Sequence, residues 1–188
     1  TPIAMRLTVL MPACNAERHI AVAMESVLAQ KHTDLQLLVV ENGYRDRTPE
    51  ILGGFARLDS RVKVHTFDRP LGVGGAGQAG IELADTEWVI RLDADDVMLP
   101  DCIDIQLEML RTNPQSRAIT GRARHITSSG GLLSISTNPR MTPEECRRRT
   151  FAGELLGFIH PGTLLHRPSV MAVGGYRSRF SVIGEDSD

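Results

Sequence analysis

Two periods of apolar and polar residues alternate along the first half of the chain. Arg6–Met11 (RLTVLM) is an apolar run of strand length. Within Glu17–Gln30, Ile20, Met24, Val27 and Leu28 recur at helical spacing. Leu35–Glu41 (LQLLVVE) is almost continuously apolar, as a strand buried on both faces requires. Thr48-Pro49-Glu50 starts a second helix, with Thr48 as its N-cap and Pro49 at the first helical position. Arg61–Phe67 is a third strand, Ala76–Ala84 a short helix and Glu87–Leu92 a fourth strand. Pro100-Asp101 opens a helix carrying Ile103, Leu107 and Leu110. Strand–helix alternation of this kind predicts an α/β fold of Rossmann-like type. Its sheet is open and mainly parallel, with helices on both faces.

The second half is less regular. Arg117–Thr127 reads as extended, Ser128–Gly131 as a turn and Leu132–Ser136 as a return strand. Thr142-Pro143-Glu144-Glu145 starts another helix. The run Arg147-Arg148-Arg149 reads first as a solvated helix face, with contact to anionic lipid or an acidic acceptor as the sharper alternative.

Polar clusters fall at corresponding places on this map. Pro12–Asn15 follows the first strand, Glu41–Asp46 the second, Asp68–Gly77 the third and Asp93–Asp96 the fourth. All four lie at carboxyl ends of strands, where open α/β sheets bind ligands. The last cluster, LDADD, admits two readings. Acids after a strand serve as a turn that caps the next helix, or they hold a divalent cation. In an extended Asp93-Ala94-Asp95, both acids would point the same way. Carboxylate oxygens suit Mg²⁺ or Mn²⁺, ions that complete their shell with waters and substrate phosphates. Gly72–Gly77 also fits G-x-G-x-x-G, with Asp93 about 20 residues on, as in a dinucleotide-binding fingerprint. The context argues against that, because Asp68–Leu71 separates the glycines from the strand and the following helix is short.

Composition narrows the classes. The 188 residues suit a single domain, and 41% hydrophobic with 23% charged is an ordinary soluble mixture. A net charge of −2 lends no support to a nucleic-acid partner. No apolar run reaches the ~20 residues of a membrane span, and Thr1–Arg6 has no signal-peptide pattern. Cys14, Cys102 and Cys146 are odd in number and widely separated, which fits a reducing, cytoplasmic setting rather than a disulfide framework. Trp88 reads as core packing, and His160 as a satisfied core or loop histidine.

The ordered motifs resemble the inverting family 2 glycosyltransferases, which use the A-type nucleotide-sugar fold. They are Leu10–Glu17, Glu25–Gln30, Val39–Gly43 with Asp46 and Thr48, Leu71-Gly72, Gly80–Ala84, Leu92–Asp96, Leu99–Asp101, His166–Pro168, Gly174–Tyr176 and Gly184–Asp186. The resemblance implies that Asp95 binds the metal, Mn²⁺ or Mg²⁺, and that Asp93 lies near the ribose and sugar. It implies that Glu41 reads the base, since a carboxylate accepts the imide N–H of uracil. Pro12, Ala13 and Gly43 belong to the same donor-binding loops. Asp186 matches the catalytic base, with Glu185 beside it to orient it or hold the acceptor. Departures are the Glu41-Asn-Gly-Tyr44 loop in place of DDGS, and Ala76-Gly77-Gln78 where a basic residue is common. Arg69 and Arg91 are substitutes for that residue only by position.

The resulting expectation is one catalytic domain over residues 1–188. Residues 1–100 form its nucleotide-binding half and 101–188 its acceptor-side half, with further chain expected beyond Asp188. It would move a sugar, from a UDP-sugar by preference, to a saccharide or lipid-linked acceptor of cell-surface polysaccharide synthesis. Transfer would invert the anomeric carbon, at the inner face of the membrane or free of it. A nucleotidyltransferase and a non-catalytic nucleotide-sugar-binding module are the rival readings. They differ from it in releasing pyrophosphate and in releasing nothing.

Overall fold

The computed structural model describes residues 5–43, 45–127, 129–137, 142–154 and 159–176. Four parallel strands carry the sheet: β1 (Leu7–Ala13), β2 (Leu35–Glu41), β3 (Val62–Thr66) and β4 (Trp88–Arg91). Two strands extend it: β8 (Thr163–His166) pairs antiparallel with β4, and β5 (Ala118–Ile119) pairs antiparallel with β8 and so runs with the first four. The order is β3-β2-β1-β4-β8-β5. A separate two-stranded ribbon pairs β6 (Arg122–Ile126) with β7 (Leu132–Thr137). The expected mainly parallel sheet is present, with strand ends within one or two residues of those read from the sequence.

Alternation along the strands builds a core on each face. Leu7, Val9 and Met11 with Leu37 and Val39 meet α1 (Ile20–Leu28), α2 (Thr48–Leu58) and α4 (Cys102–Thr112) through Met24, Leu52 and Leu107. Leu10, Leu38, Val40 and Val89 point the other way, onto Ala76, Ile81 and Ala84 of α3 and its C-cap (Gly72–Leu83). Each inner strand therefore buries both faces, which is why LQLLVVE carries no polar alternation. Trp88 is buried as expected, its ring 5.0 Å from that of His166. Two short helices complete the description, α5 (Pro143–Phe151) and α6 (Arg167–Ala172).

Helix α3 corrects one expectation. The glycines at 72–77 are its first turns rather than a loop before a two-turn helix. Gly80 is small because the helix lies close on β1, and Gly77 because the Tyr176 ring packs on it. A Cβ on Gly80 would collide with both δ carbons of Leu10. Gly80 serves packing against the sheet and Gly77 makes room for the Tyr176 ring, so these glycines lie within a helix rather than in a phosphate-binding turn before it.

No helix among the described residues is long and apolar enough to cross a membrane. None of the three cysteines is joined in a disulfide. Arg148 pairs with Glu145 and Arg149 with Glu154, in keeping with a solvated face on α5.

Candidate active site

Strand β1 has β2 on one side and β4 on the other, so connections leave it in opposite directions. A crevice opens at such a switch point, outside the carboxyl ends. Here it is a cleft of about 430 Å³ lined by Pro12 to Ala16, His19, Asn42, Pro70, Gly72, Val73 and Asp93 to Asp95. A second cleft of about 260 Å³ continues it over Gly43, Arg45 and Phe67 to Pro70, sharing Cys14, Asn15 and Asn42. Residues from all four strand-end clusters thus meet in one continuous depression.

The loops after β1 and β2 are laced together. Asp46 Oδ2 accepts the Glu17 N–H at 3.0 Å, and its Oδ1 accepts the Thr48 N–H at 2.9 Å. Desolvation works to raise the Asp46 carboxyl, but these N–H groups and the Thr48 hydroxyl outweigh it and hold the group below the usual carboxylate range. The Thr48 hydroxyl accepts the Ala16 N–H at 2.8 Å, and Glu17 Oε2 accepts the Arg47 N–H at 3.0 Å. Thr48 is therefore fully buried and makes no cap bond to its own helix. This corrects the N-cap expectation: the hydroxyl holds the neighbouring loop instead. Asn15, in the left-handed region at φ 50°, accepts the Arg45 N–H at 2.9 Å.

Glu41 ends β2 with no solvent exposure. Its Oε1 accepts the Gly43 N–H at 3.0 Å, and its Oε2 is buried without a hydrogen-bond partner among the described residues. It lies behind the wall of the cleft, and Asn42 and Gly43 form the lining beside it. Asn42, missed in the sequence, ties three elements. Its Nδ2 donates to the Ala13 carbonyl at 3.3 Å, and its Oδ1 accepts the Leu71 N–H at 3.3 Å.

The acids after β4 form a turn, closed by Asp96 N–H donating to the Asp93 carbonyl at 3.2 Å. The extended Asp93-Ala94-Asp95 expected from the sequence is not what forms, because the strand ends at Arg91. Asp93 and Asp95 nevertheless line the same cleft. The buried Arg91 guanidinium holds Asp93 Oδ1 at 2.7 Å, so Arg91 is committed to the acidic turn. Asp95 is exposed. Asp96 is half-buried, and its pKa is pushed up to about 6, first by burial and then by the charges of Asp93 and Asp95. Arg91 and His125 oppose that rise.

The segment after the turn is held by α1. Ser26 Oγ accepts the Met98 N–H at 3.0 Å, and Gln30 Nε2 donates to the Leu99 carbonyl at 2.8 Å. These bonds account for the polar residues within Glu25–Gln30 and Leu99–Asp101. Their signal in the sequence was a polar residue on an otherwise apolar helix face.

Three carboxylates in one turn, with excess negative charge already expressed at Asp96, are a donor set that suits a hard divalent cation. Among the described residues, no three His, Cys, Asp or Glu side chains are grouped so as to hold an ion by themselves. His160 is buried and bonded to the Tyr176 hydroxyl at 2.7 Å, as expected of a satisfied histidine. Tyr176 also packs its ring beside Gly77, and its N–H donates to Gln78 Oε1 at 2.8 Å. Asp186, Glu185 and Tyr44 lie outside the described residues.

The fold and site can be set beside known proteins. The succinoglycan biosynthesis protein ExoO of Rhizobium meliloti is 35% identical over 102 residues, 54% of this chain and 29% of that protein. The structure of Staphylococcus aureus TarS 1–349 with UDP superposes with a TM-score of 0.76 at 16% identity, covering 97% of this chain and 53% of that one. The mannosyltransferase PcManGT of Pyrobaculum calidifontis, with GDP-Man and Mn²⁺, superposes with a TM-score of 0.71 at 18% identity, covering 97% and 50%. The chain thus spans about half the length of these structures and less of ExoO. The profile of Glycosyl transferase family 2 matches residues 8–174, from the start of β1 to the turn after α6. By that match, and by a sheet and cleft of the A-type arrangement, this chain belongs to glycosyltransferase family 2.

Proposed function

We propose that this domain transfers a sugar from a nucleoside-diphosphate donor to an acceptor hydroxyl, with UDP-sugars as the preferred donors. One observation carries the reading. The acidic turn Asp93–Asp96 faces the loops after β1 and β2 across a single cleft at the switch point of the sheet.

In this reading the base lies in the cleft over Gly43 and Phe67, and the diphosphate extends toward the acidic turn. Asp95, with Asp93 held beside it by Arg91, would hold Mn²⁺ or Mg²⁺ together with donor oxygens. When bound, such an ion offsets charge developing on the leaving diphosphate. Asn42 and the laced β1 and β2 loops keep the base-side walls in register. Glu41 acts from behind them: Oε1 holds the Gly43 turn, and Oε2 would accept the imide N–H of uracil once the Asn42–Gly43 lining moves aside for the base. Asp186 takes the acceptor proton, with Glu185 orienting it, and attack from the opposite face inverts the anomeric carbon. The nucleotide-binding half is residues 1–100 and the acceptor-side half 101–188. ExoO's name and the family support a saccharide or lipid-linked acceptor of cell-surface polysaccharide synthesis.

Calorimetry tests the donor half. UDP affinity is expected to rise on adding Mn²⁺, and Asp95→Ala to remove most of that rise. UDP is expected to bind better than CDP by about 1–3 kcal/mol, the cost of leaving a buried acceptor unpaired. Equal UDP affinity in Mn²⁺ and in EDTA would overturn the metal role, and equal UDP and CDP affinities the role of Glu41. Turnover tests the other half. Asp186→Asn in an active, acceptor-competent form should lose ~10²-fold or more in kcat with donor affinity nearly unchanged. Near-normal turnover would move the base assignment to Glu185.

A further inference from the structure

The β6–β7 ribbon stands outside the six-stranded sheet, and its two faces differ. Ala123 and Ser136 oppose each other and are half-buried, so their face turns toward the body of the protein. His125 lies on that face, bonded to Ser136 at 2.7 Å. By strand alternation, Arg122, Arg124 and Ile135 occupy the outer face. His125 opposes Ser134 while Ile126 opposes Leu132, so a bulge inserts Leu133 at the tip. Ile126, Leu132, Leu133 and Ile135 are each more than half exposed.

Charge on this ribbon is one-sided. The chain has 23 acidic residues, yet none lies between Glu108 and Glu144. Neither Arg122 nor Arg124 forms an ion pair among the described residues, whereas Arg148 and Arg149 on α5 are matched by Glu145 and Glu154. A projecting ribbon with aliphatic residues at its tip and unmatched arginines behind them is complementary to an anionic lipid surface. There, aliphatic groups enter the acyl boundary and arginines meet the phosphates.

We propose that the outer face of the β6–β7 ribbon docks the domain on an anionic phospholipid membrane. The arginines of the ribbon, rather than the 147–149 run, are the membrane-reading charges.

Sedimentation with phosphatidylcholine vesicles, with and without phosphatidylglycerol, tests this. The chain is expected to bind the anionic vesicles at least ~10-fold better, and to lose that gain as salt rises. Arg122→Glu with Arg124→Glu should abolish the preference. Leu133→Ser with Ile135→Ser should weaken binding while leaving its salt dependence in place. Arg148→Glu with Arg149→Glu should change little. Binding indifferent to phosphatidylglycerol, or unaffected by both ribbon pairs, overturns the proposal. Equal binding to soluble polyphosphate that survives Leu133→Ser with Ile135→Ser would mark a polyanion surface instead. A dimer lost in that same variant would mark contact with a second copy. Calorimetry with UDP and Mn²⁺ on the ribbon variants separates this from the donor reading, since donor binding should be unchanged in them.

Discussion

At the scale of single residues, the site is made by side chains that serve a neighbouring loop rather than their own. Thr48 and Asp46 stand at a helix start, and on local chemistry Thr48 should cap it. Folding brings the β1 loop within reach, and the Thr48 hydroxyl bonds Ala16 instead, while Asp46 divides its oxygens between Glu17 and Thr48. Asp96 is a residue whose protonation the fold alters strongly. Its folded pKa of about 6 lies above its ordinary value, so the folded state holds the proton more tightly than the unfolded chain. That contribution is present below the ordinary carboxylate range and is lost as pH rises toward about 6. Asp96→Asn should therefore stabilise the protein at pH 7.5 by roughly 1 kcal/mol, discounted for partial exposure, and hardly at pH 4. Thermal denaturation at the two pH values checks this, and an equal effect at both would contradict it.

At the scale of elements, α3 shows packing overriding propensity. A glycine-rich segment is a poor helix former. It folds as a helix that buries Ala76 and Ile81 on the sheet, and Gly80 lets it settle on Leu10 of β1. Two substitutions of the same kind should therefore have opposite signs. Gly80→Ala puts a methyl group into Leu10 and should cost about 1–3 kcal/mol. Gly54→Ala, in the interior of α2 with nothing within 4 Å of the new Cβ, should stabilise by about 0.5–1 kcal/mol. Urea denaturation of both variants is the measurement.

At the scale of the whole molecule, the cleft is a property of strand order. Residues far apart in sequence, Pro12, Asn42, Gly72 and Asp95, share it because β1 lies between β2 and β4. A ligand there touches loops from every parallel strand, so it should stabilise the fold as one unit. UDP with Mn²⁺ at about 100 times its dissociation constant should add roughly 2.7 kcal/mol, read as a rise in Tm. NAD at the same concentration should add nothing. A comparable shift with NAD would revive the glycine-fingerprint reading that α3 argues against.

Sequence alone determined the strands, their both-face burial and the clustering of polar residues at carboxyl ends. Those follow from local periodicity and from the requirement that strand faces be covered. It also carried the family, through short motifs in order. Tertiary structure decided what those motifs do. That Glu41 is buried with one oxygen unpartnered among the described residues, and that Ser26 and Gln30 brace the chain after the acidic turn, depend on neighbours distant in sequence. A carboxylate or a glycine has the same local signature whether it faces a ligand, a loop or a strand. Only the neighbours that folding supplies set its burial, its partners and its charge.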